Sequence, residues 1–372
     1  MVCVKTYLPQ EGGYKILRQS IVLSMLALAV VGSFSQAAPA KPIAKHNASA
    51  LPPVKGTQQM AGGQGAFGVT YTLIDGGGWG PINFTIKSVE YTVARVSISP
   101  TWMYAPKANE KIMLIRYRVK NPNSEDFYYS GRHLFQTVDL NDTTLDDCGD
   151  SRRESETQPI AVSIKPGQGI EDLITYAVVT AKGPIPKLIL QLGKPGSTDQ
   201  VTRFVLGTAP NTVAPIPAPY ADPTDPTGAT ALSNIKASIG TTYIAGYFDM
   251  SLDSAVLAPG PFGDTAADDG KKFLVATITA TNKGLGQIYV GDIFGGTVVT
   301  SDGDKITDHA VLKAKRDEAW DGRQIDPGET VTLRLLFQVP SDATVKSLGL
   351  VEDEDNSGSV SHELDYDLSS LK

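Results

Sequence analysis

An internal repeat is the feature of this sequence that most restricts its fold. Residues 112–120 alternate apolar and polar side chains and are followed by an asparagine, and residues 273–281 repeat this pattern 161 positions later. The Lys-Pro-Gly of residues 165–167 and the Asp-Pro-Gly of residues 326–328 have the same separation, and each precedes another apolar run. Because an ungapped repeat marks repeated structural units, the chain is expected to contain one fold twice.

Both repeats consist of short alternating runs with turn residues between them. In residues 360–368, apolar side chains alternate with serine and acidic residues, which is typical of a strand with one buried face. Asn141-Asp142 and Asp302-Gly303 occupy equivalent positions and favour two-residue hairpin turns. No helix-period segment of useful length appears after the N-terminal region. The sequence therefore predicts an all-β chain of two tandem immunoglobulin-like β-sandwich domains joined by a proline-rich linker.

The N-terminus has the pattern of a secretory signal. Lys15 and Arg18 precede an apolar run at residues 21–31, and residues 35–37, Ser-Gln-Ala, provide a small-residue cleavage site. The run is shorter than the ~20 residues that a spanning helix needs. We expect a secreted, extracellular or periplasmic protein with no membrane span after cleavage, and an uncleaved signal anchor is the alternative.

Proline-rich segments separate the predicted domains. Six prolines between residues 208 and 230 favour an extended, semi-rigid spacer. The segment after the leader has four prolines and no apolar period, and predicts a disordered tether. Each sandwich is expected to fold as its own unit. The predicted organisation is a signal peptide at 1–37, a tether at 38–63, sandwiches at 64–207 and 231–370, and the linker at 208–230.

Charge and cysteine content exclude two classes. The chain has 33 basic and 40 acidic residues, a net charge of −7, and removal of the leader makes this −9. A nucleic-acid partner is not expected, because duplex binding requires a basic surface. Cys3 lies in the leader and Cys148 is the other cysteine, so the mature chain is expected to have no intrachain disulfide.

Each repeat resembles the bacterial extracellular immunoglobulin-like domain of unknown function that is related to secreted immunoprotective antigens. The second repeat carries the pattern as Ala280-Thr281-Asn282, Asp302-Gly303, Pro327-Gly328-Glu329 and Phe337-Gln338-Val339-Pro340. The first repeat departs from it, with Pro166-Gly167-Gln168 and no proline after Val178-Val179. The resemblance implies a sandwich fold and brings no catalytic residues.

The sequence shows no catalytic constellation. Four scattered histidines, His46, His133, His309 and His362, support neither a catalytic triad nor a zinc site. The glycines at 63, 65 and 68 match a dinucleotide fingerprint as a string, but they lack its strand and helix and predict a flexible entry to the first domain. Cys148 is interpreted as a loop or partly buried cysteine, with a reactive thiol as the alternative.

One metal candidate was found, and no other cofactor is expected. Asp353, Asp355 and Ser357, followed by Gly358, repeat the first half of a calcium loop. The second half is absent, because Leu364 stands where a bidentate glutamate is required. A polar turn is the competing interpretation.

Aromatic residues suggest where the repeats differ. Trp102 and Tyr104 have no aromatic counterpart 161 positions later, so their loop is a candidate partner-binding surface, although Trp102 could instead plug the core. Tyr128 and Tyr289 are equivalent and are expected in the shared core or a hairpin. The sequence favours a non-catalytic binding or structural module of the bacterial envelope or extracellular space, with an unknown protein or glycan partner. A carbohydrate-active or hydrolytic enzyme with loop carboxylates is the alternative.

Overall fold

The computed structural model describes residues 63–75, 80–101, 103–131, 134–191, 201–206, 213–291, 293–353 and 360–371. Every regular element in these ranges is a β-strand, which confirms the all-β prediction. Among the described residues, no helix has the length and apolar character needed to cross a membrane. The predicted signal peptide and residues 38–62 of the predicted tether lie outside the described residues.

The first sandwich is built from two five-stranded sheets, a two-stranded ribbon and a short strand pair. Sheet I has the order β1-β14-β13-β8-β9, sheet II has the order β10-β12-β6-β3-β2, the ribbon is β7-β11, and the pair is β4-β5. The strands are β1 Gly63–Gly65, β2 Tyr71–Asp75, β3 Gly80–Thr92, β4 Val96–Ser97, β5 Met103–Tyr104, β6 Glu110–Lys120, β7 Phe127–Ser130, β8 Phe135–Val138, β9 Thr144–Asp147, β10 Arg152–Arg153, β11 Ala161–Ile164, β12 Gly169–Thr180, β13 Lys187–Gln191 and β14 Val201–Val205.

The second sandwich has the same arrangement without the additional strand pair. Sheet III has the order β15-β26-β25-β20-β21, sheet IV has the order β16-β17-β18-β24-β22, and the ribbon is β19-β23. The strands are β15 Asn234–Ala237, β16 Tyr243–Ala245, β17 Phe248–Ala258, β18 Lys271–Asn282, β19 Ile288–Val290, β20 Phe294–Thr300, β21 Lys305–Ile306, β22 His309–Lys313, β23 Arg323–Ile325, β24 Thr330–Pro340, β25 Val345–Glu352 and β26 Glu363–Asp367.

The two sandwiches correspond strand by strand. Sheets I and III each begin with a parallel pair, β1 with β14 and β15 with β26, and continue with antiparallel neighbours. The register of β3 against β6 shifts between Ile86 and Ser88, and that of β17 against β18 shifts between Leu252 and Ser254. These irregularities occupy the same place in sheets II and IV. Such bulges are positional features that bend a strand.

A buried asparagine fixes the end of the long strand in each sandwich. The Asn121 side-chain amide donates to the Glu125 and Ile164 carbonyls, both at 2.8 Å. The Asn282 amide donates to the Gly286 carbonyl at 3.0 Å and to the Ile325 carbonyl at 2.8 Å. Each of these groups is 161 residues from its counterpart. Strand pairing leaves these carbonyls beside the ribbon without a donor. Because buried carbonyls require a hydrogen bond, the asparagine amide supplies it.

Facing aromatic side chains hold the paired sheets together. Phe135 of sheet I packs against Phe84 and Tyr117 of sheet II, with ring centroids 5.6 and 5.3 Å apart. Phe294 of sheet III packs on Phe248 of sheet IV at 5.2 Å. All five rings are buried. Their edge-to-face packing is favourable beyond the area that it buries.

The proline-rich connection is packed and does not form the extended spacer that its prolines predict. A single hydrophobic cluster of described residues continues through both sandwiches and the connection. Prolines favour an extended backbone. The free energy gained by burying the apolar residues between them outweighs that preference here. The buried residues of the connection are Val213, Ile216, Tyr220, Ala229 and Ala231.

The connection bonds to both sandwiches. The Ala214 N–H donates to the Val89 carbonyl at 2.9 Å, and the Tyr91 N–H donates to the Ala214 carbonyl at 3.0 Å, which adds residue 214 to β3. At its other side, the Ile244 N–H of β16 donates to the Tyr220 hydroxyl at 2.7 Å. These hydrogen bonds therefore fix the connection to both sandwiches.

The glycine-rich entry is also ordered differently from the prediction. Residues 63–65 form β1 and pair in parallel with β14, where the sequence suggested a flexible segment. A Cβ on Gly65 would lie 2.3 Å from the Phe204 ring. The glycine therefore permits close packing of a strand on an aromatic ring, and neither a phosphate-binding turn nor a helix follows it.

Candidate functional site

An open groove with a volume of about 740 Å³ lies on the outer face of sheet IV. Its floor is formed by residues of β18 and β24, including Phe273, Leu336 and Gln338. One wall is the segment 304–310, and the other is the loop that carries Thr265 and Asp268. We call this feature the sheet IV groove.

The apolar floor of the groove is a rigid layer. Phe273, Val275, Leu312 and Leu336 form a buried cluster on the outer face of sheet IV. The loop residue Phe262 packs edge-on against Phe273 with ring centroids 5.8 Å apart. Well-packed clusters of this kind resist rearrangement. The floor therefore presents a preformed surface.

Polar side chains of both signs surround this floor. Asp268, Asp304 and Asp308 contribute carboxylates, and Lys271 and Lys305 contribute ammonium groups. Lys271 pairs with Asp268 at 2.9 Å, and the Gln338 side-chain carbonyl accepts the Asp268 N–H at 2.8 Å. Because both partners of the ion pair are substantially exposed, the pair orients the loop more than it stabilises the fold.

His309 fastens the wall of the groove. Its ring nitrogens contact two backbone carbonyls, Nδ1 with Thr307 at 2.9 Å and Nε2 with Phe294 at 3.0 Å. The ring stacks on Phe337 with centroids 5.1 Å apart. A histidine whose nitrogens are both engaged by backbone is poorly placed to accept a proton from a substrate. His309 therefore has a structural role in this geometry.

A second, smaller cavity of about 180 Å³ lies at the seam between the sandwiches. Thr101 and Met103 of the first sandwich and Tyr247 and residues 284–288 of the second line it. The Tyr247 hydroxyl donates to the Met103 carbonyl at 3.1 Å. The loop that was predicted as a partner-binding surface therefore contacts the second sandwich of its own chain.

Arg95 makes the strongest polar contact across this seam. It donates to the Gly246 carbonyl at 2.8 Å and the Phe248 carbonyl at 3.1 Å, and it pairs with Asp249 at 2.8 Å. Its side chain is only 10% exposed, so these bonds are shielded from water. They fix the first sandwich to the turn between β16 and β17.

Glu352 holds that turn in place. Its carboxylate accepts the N–H groups of Tyr247 and Phe248 at 2.9 and 3.0 Å. Gly246 has a φ of +59°, and a Cβ there would lie 2.7 Å from the Glu352 carboxyl carbon. Both the backbone conformation and the close approach require glycine at this position. The local sequence gives no indication that residues 246 and 352 meet, because they come together only across sheets III and IV.

Lys111 is a buried cation that sequence reasoning did not single out. Its ammonium donates to the carbonyls of Ala181 at 3.2 Å and Gly183 at 2.5 Å, and to that of Ala229. It also lies over the Tyr91 ring, 4.7 Å from the centroid. Burial lowers the pKa of Lys111 to about 8, and the nearby Asp225 acts in the opposite direction. The ammonium ties the connection to the first sandwich.

The described residues test the predicted site residues only in part. Asp355 and Ser357 lie outside the described residues, as does Trp102, so calcium binding and the aromatic surface stay predictions. Asp353 follows β25, and its N–H donates to the Ile293 carbonyl at 2.8 Å. No group of three or more metal-ligating side chains occurs in the described ranges.

Tyr104 is half-buried against the outer face of sheet II. Its hydroxyl donates to the Glu110 carboxylate at 2.6 Å, and burial with this carboxylate raises its pKa. Its ring packs on the cluster of Val96, Ile112 and Leu114. Tyr104 therefore serves the packing of its own strand pair.

Cys148 lies in the loop after β9, as predicted, and is more deeply buried than expected. Its N–H donates to the Phe135 carbonyl at 3.0 Å, and the residue belongs to the core of the first sandwich. Tyr128 and Tyr289 are 49% and 56% exposed on the two antiparallel ribbons, which excludes the core alternative for this pair. Strand alternation places their neighbours inward and these side chains outward.

The other three histidines are His46, His133 and His362. His133 lies outside the described residues, as does His46. His362 is buried, and its Nδ1 lies 2.6 Å from the Leu232 carbonyl of the connection. Burial lowers its pKa, whereas the backbone at Leu232 and Glu110 raises it to a smaller extent.

Comparison with known proteins finds a domain of unknown function in the second sandwich. Residues 237–359 match a family described as Domain of unknown function (DUF4352), and this range contains the sheet IV groove. No curated protein matches the chain.

Two solved structures illustrate the similarity. An uncharacterized beta-sandwich protein from Clostridium difficile 630 is 17% identical, with 36% of this chain and 93% of that chain covered and a TM-score of 0.29. The yjhA protein from Bacillus subtilis is 20% identical, with 35% and 97% covered and a TM-score of 0.24.

Proposed function

We propose that this chain is an exported, non-catalytic binding protein of the bacterial cell envelope or extracellular space, and that the sheet IV groove holds its ligand. The observation that carries the proposal is the groove itself, about 740 Å³ in volume, with an apolar floor and polar walls. Preformed concave sites of this size and mixed chemistry are typical of ligand binding. In this proposal, the first sandwich and the connection are structural supports for the sandwich that carries the groove.

Two further features support the proposal. The N-terminal pattern of basic residues, apolar run and small-residue cleavage site is that of an exported protein. The strand order, the bulge positions and the buried asparagines agree between the sandwiches. We therefore propose that the sandwiches are duplicated immunoglobulin-like domains of the secreted-antigen type, of which the second has kept or acquired the ligand site.

A thermal-shift screen of the chain without its leader tests the groove. Neutral oligosaccharides, sulfated oligosaccharides and extended peptides are the probes, because a ligand of the native state raises Tm. The shift should disappear in Thr307→Trp, which fills the groove, and persist in Ser301→Trp on the same segment outside it. A shift that survives Thr307→Trp would place the ligand elsewhere and overturn the groove assignment.

The same samples test the alternative of a hydrolytic enzyme. Three aspartates line the groove, so carboxylate chemistry is the alternative that the site itself raises. Release of reducing ends from the oligosaccharides, lost in Asp304→Ala/Asp308→Ala, would replace the binding function by hydrolysis.

Export is tested by expressing the full chain in a bacterial host. A mature N-terminus at Ala38 is expected, and a membrane-retained chain that begins at Met1 would contradict cleavage.

A further inference from the structure

We infer that the ligand of the sheet IV groove is a neutral oligosaccharide, recognised by side chains above a closed sheet face. This inference rests on the proposed function and specifies the chemistry of the same site. Three properties of the groove lead to it: the state of its backbone, its charge balance and the composition of its floor.

The backbone under the groove is already satisfied. β24 pairs with β18 on one side through Lys271–Thr281 and with β22 on the other through His309–Lys313. A peptide that binds by strand addition needs an open edge with free N–H and C=O groups. The floor offers none within residues 333–337, because both neighbouring strands are bonded there. Over residues 333–337, recognition must therefore come from side chains, which suits a ligand with many hydroxyl groups.

The charges of the groove nearly cancel. Three aspartates and two lysines line it, and one aspartate is paired with Lys271 at 2.9 Å. A site for a sulfated or phosphorylated ligand requires convergent cations, usually with arginine. No arginine lines the groove. The remaining carboxylates accept hydrogen bonds, and the hydroxyls and the Gln338 amide can both donate and accept. The hydroxyl groups of a neutral sugar need partners of both kinds.

The floor and the shape of the groove fit a sugar chain. Ile306, Ala310 and Pro340 are the partly exposed apolar residues of the lining and offer contact to the C–H faces of sugar rings. Thr265, Thr307 and Gln338 add groups that donate and accept hydrogen bonds. The groove is open to the surface along the wall formed by residues 304–310, most of which are exposed. A ligand longer than one sugar ring is therefore accommodated without rearrangement of the sandwich.

Isothermal titration of the leaderless chain with cellotetraose, maltotetraose and the N-acetylglucosamine tetramer tests the inference. We expect at least one of these sugars to bind with a Kd below about 1 mM, the weak end of measurable specific affinity. Asp304→Ala/Asp308→Ala should weaken this binding at least tenfold. The control Asp269→Ala/Asp302→Ala removes two exposed charges that lie next to the two walls but outside the groove lining, and it should leave Kd unchanged.

The outcomes separate the inference from the proposed function. If a peptide or a sulfated oligosaccharide binds and the groove variants abolish that binding, the groove is a ligand site and the neutral-sugar inference is overturned. If a neutral sugar binds but the control pair weakens it as much as the groove pair, the groove is not the site and both fail. If no tetramer binds at 5 mM, the inference also fails. Gln338→Leu, which removes one polar group of the groove and the acceptor of the Asp268 N–H, provides a second groove variant should the aspartate pair fold poorly.

Discussion

The two sandwiches share a frame and differ in what covers one face. On the outer face of sheet II, the strand pair β4-β5 lies over the cluster of Val96, Ile112, Leu114 and Ile174, and Met103 of this pair contacts the second sandwich. On sheet IV, the equivalent buried cluster around Phe273 is covered by the loop that carries Phe262 and Ala267, and an open groove lies beside it. The strands preserve the fold, whereas the segments between them decide whether an outer face meets the other sandwich or borders an open groove.

The largest expected effect contrasts Lys111 with Lys272, its counterpart 161 residues later. Lys111→Met removes the donor to three carbonyls and leaves them buried, and breaking such a buried polar network costs about 3–5 kcal/mol. Lys272 is only partly buried and its replacement by methionine should cost less than about 0.5 kcal/mol. Urea unfolding of both variants provides the measurement. Equal losses would show that the cation does not distinguish the sandwiches.

The second prediction concerns the feature that the sandwiches share. Asn121→Ala and Asn282→Ala each remove two amide-to-carbonyl bonds, and burial of unsatisfied acceptors should cost about 2–4 kcal/mol in either variant. Because the partners correspond one by one, we expect the two losses to agree within about 0.5 kcal/mol. Denaturant midpoints for both variants test this equivalence. A loss confined to one variant would break the correspondence between the sandwiches.

A smaller effect is expected where the sandwiches meet. Arg95→Ala removes an ion pair and two bonds to carbonyls from a shielded seam, and charged hydrogen bonds of this kind contribute about 1.5–3 kcal/mol. Lys283 approaches the same Asp249 at 3.8 Å but is 45% exposed, so Lys283→Ala should cost less than about 0.5 kcal/mol. Differential scanning calorimetry should show one transition in the wild type. Arg95→Ala without any change in Tm would mean that the seam contributes nothing to coupling.

The smallest expected effect is a pH dependence of stability that arises from His362 in the second sandwich. Burial lowers the pKa of His362, which directly precedes β26 of the second sandwich. Below the ordinary histidine pKa of about 6.5 the unfolded chain binds the proton more readily than the folded chain, so stability should fall as pH falls through this range. Tm measured at pH 7 and pH 5 should drop more for the wild type than for His362→Gln. An identical drop would exclude His362 as the source.

Sequence reasoning accounted for the strands better than for the contacts between distant segments. Alternation and turn residues predict β6, β12, β18 and β24 because a strand's pattern is local. The Asp-Pro-Thr runs at 222–224 and 225–227 are also local patterns that favour turns. Asp222 and Asp225 each accept the N–H and hydroxyl of the threonine two residues on, which folds the connection into turns.

The sequence by itself determined that this chain is all-β, that it repeats one pattern 161 residues apart, and where the long strands and their asparagines lie. Only the tertiary structure decided that the proline-rich connection is buried, that Lys111 is enclosed by carbonyls of three residues, and that the sheet IV groove stays open. The physical reason is the range of the interactions. Side-chain alternation acts over a few neighbouring residues, whereas burial and hydrogen-bond satisfaction depend on segments as far apart as Arg95 and Gly246, which the fold alone brings together.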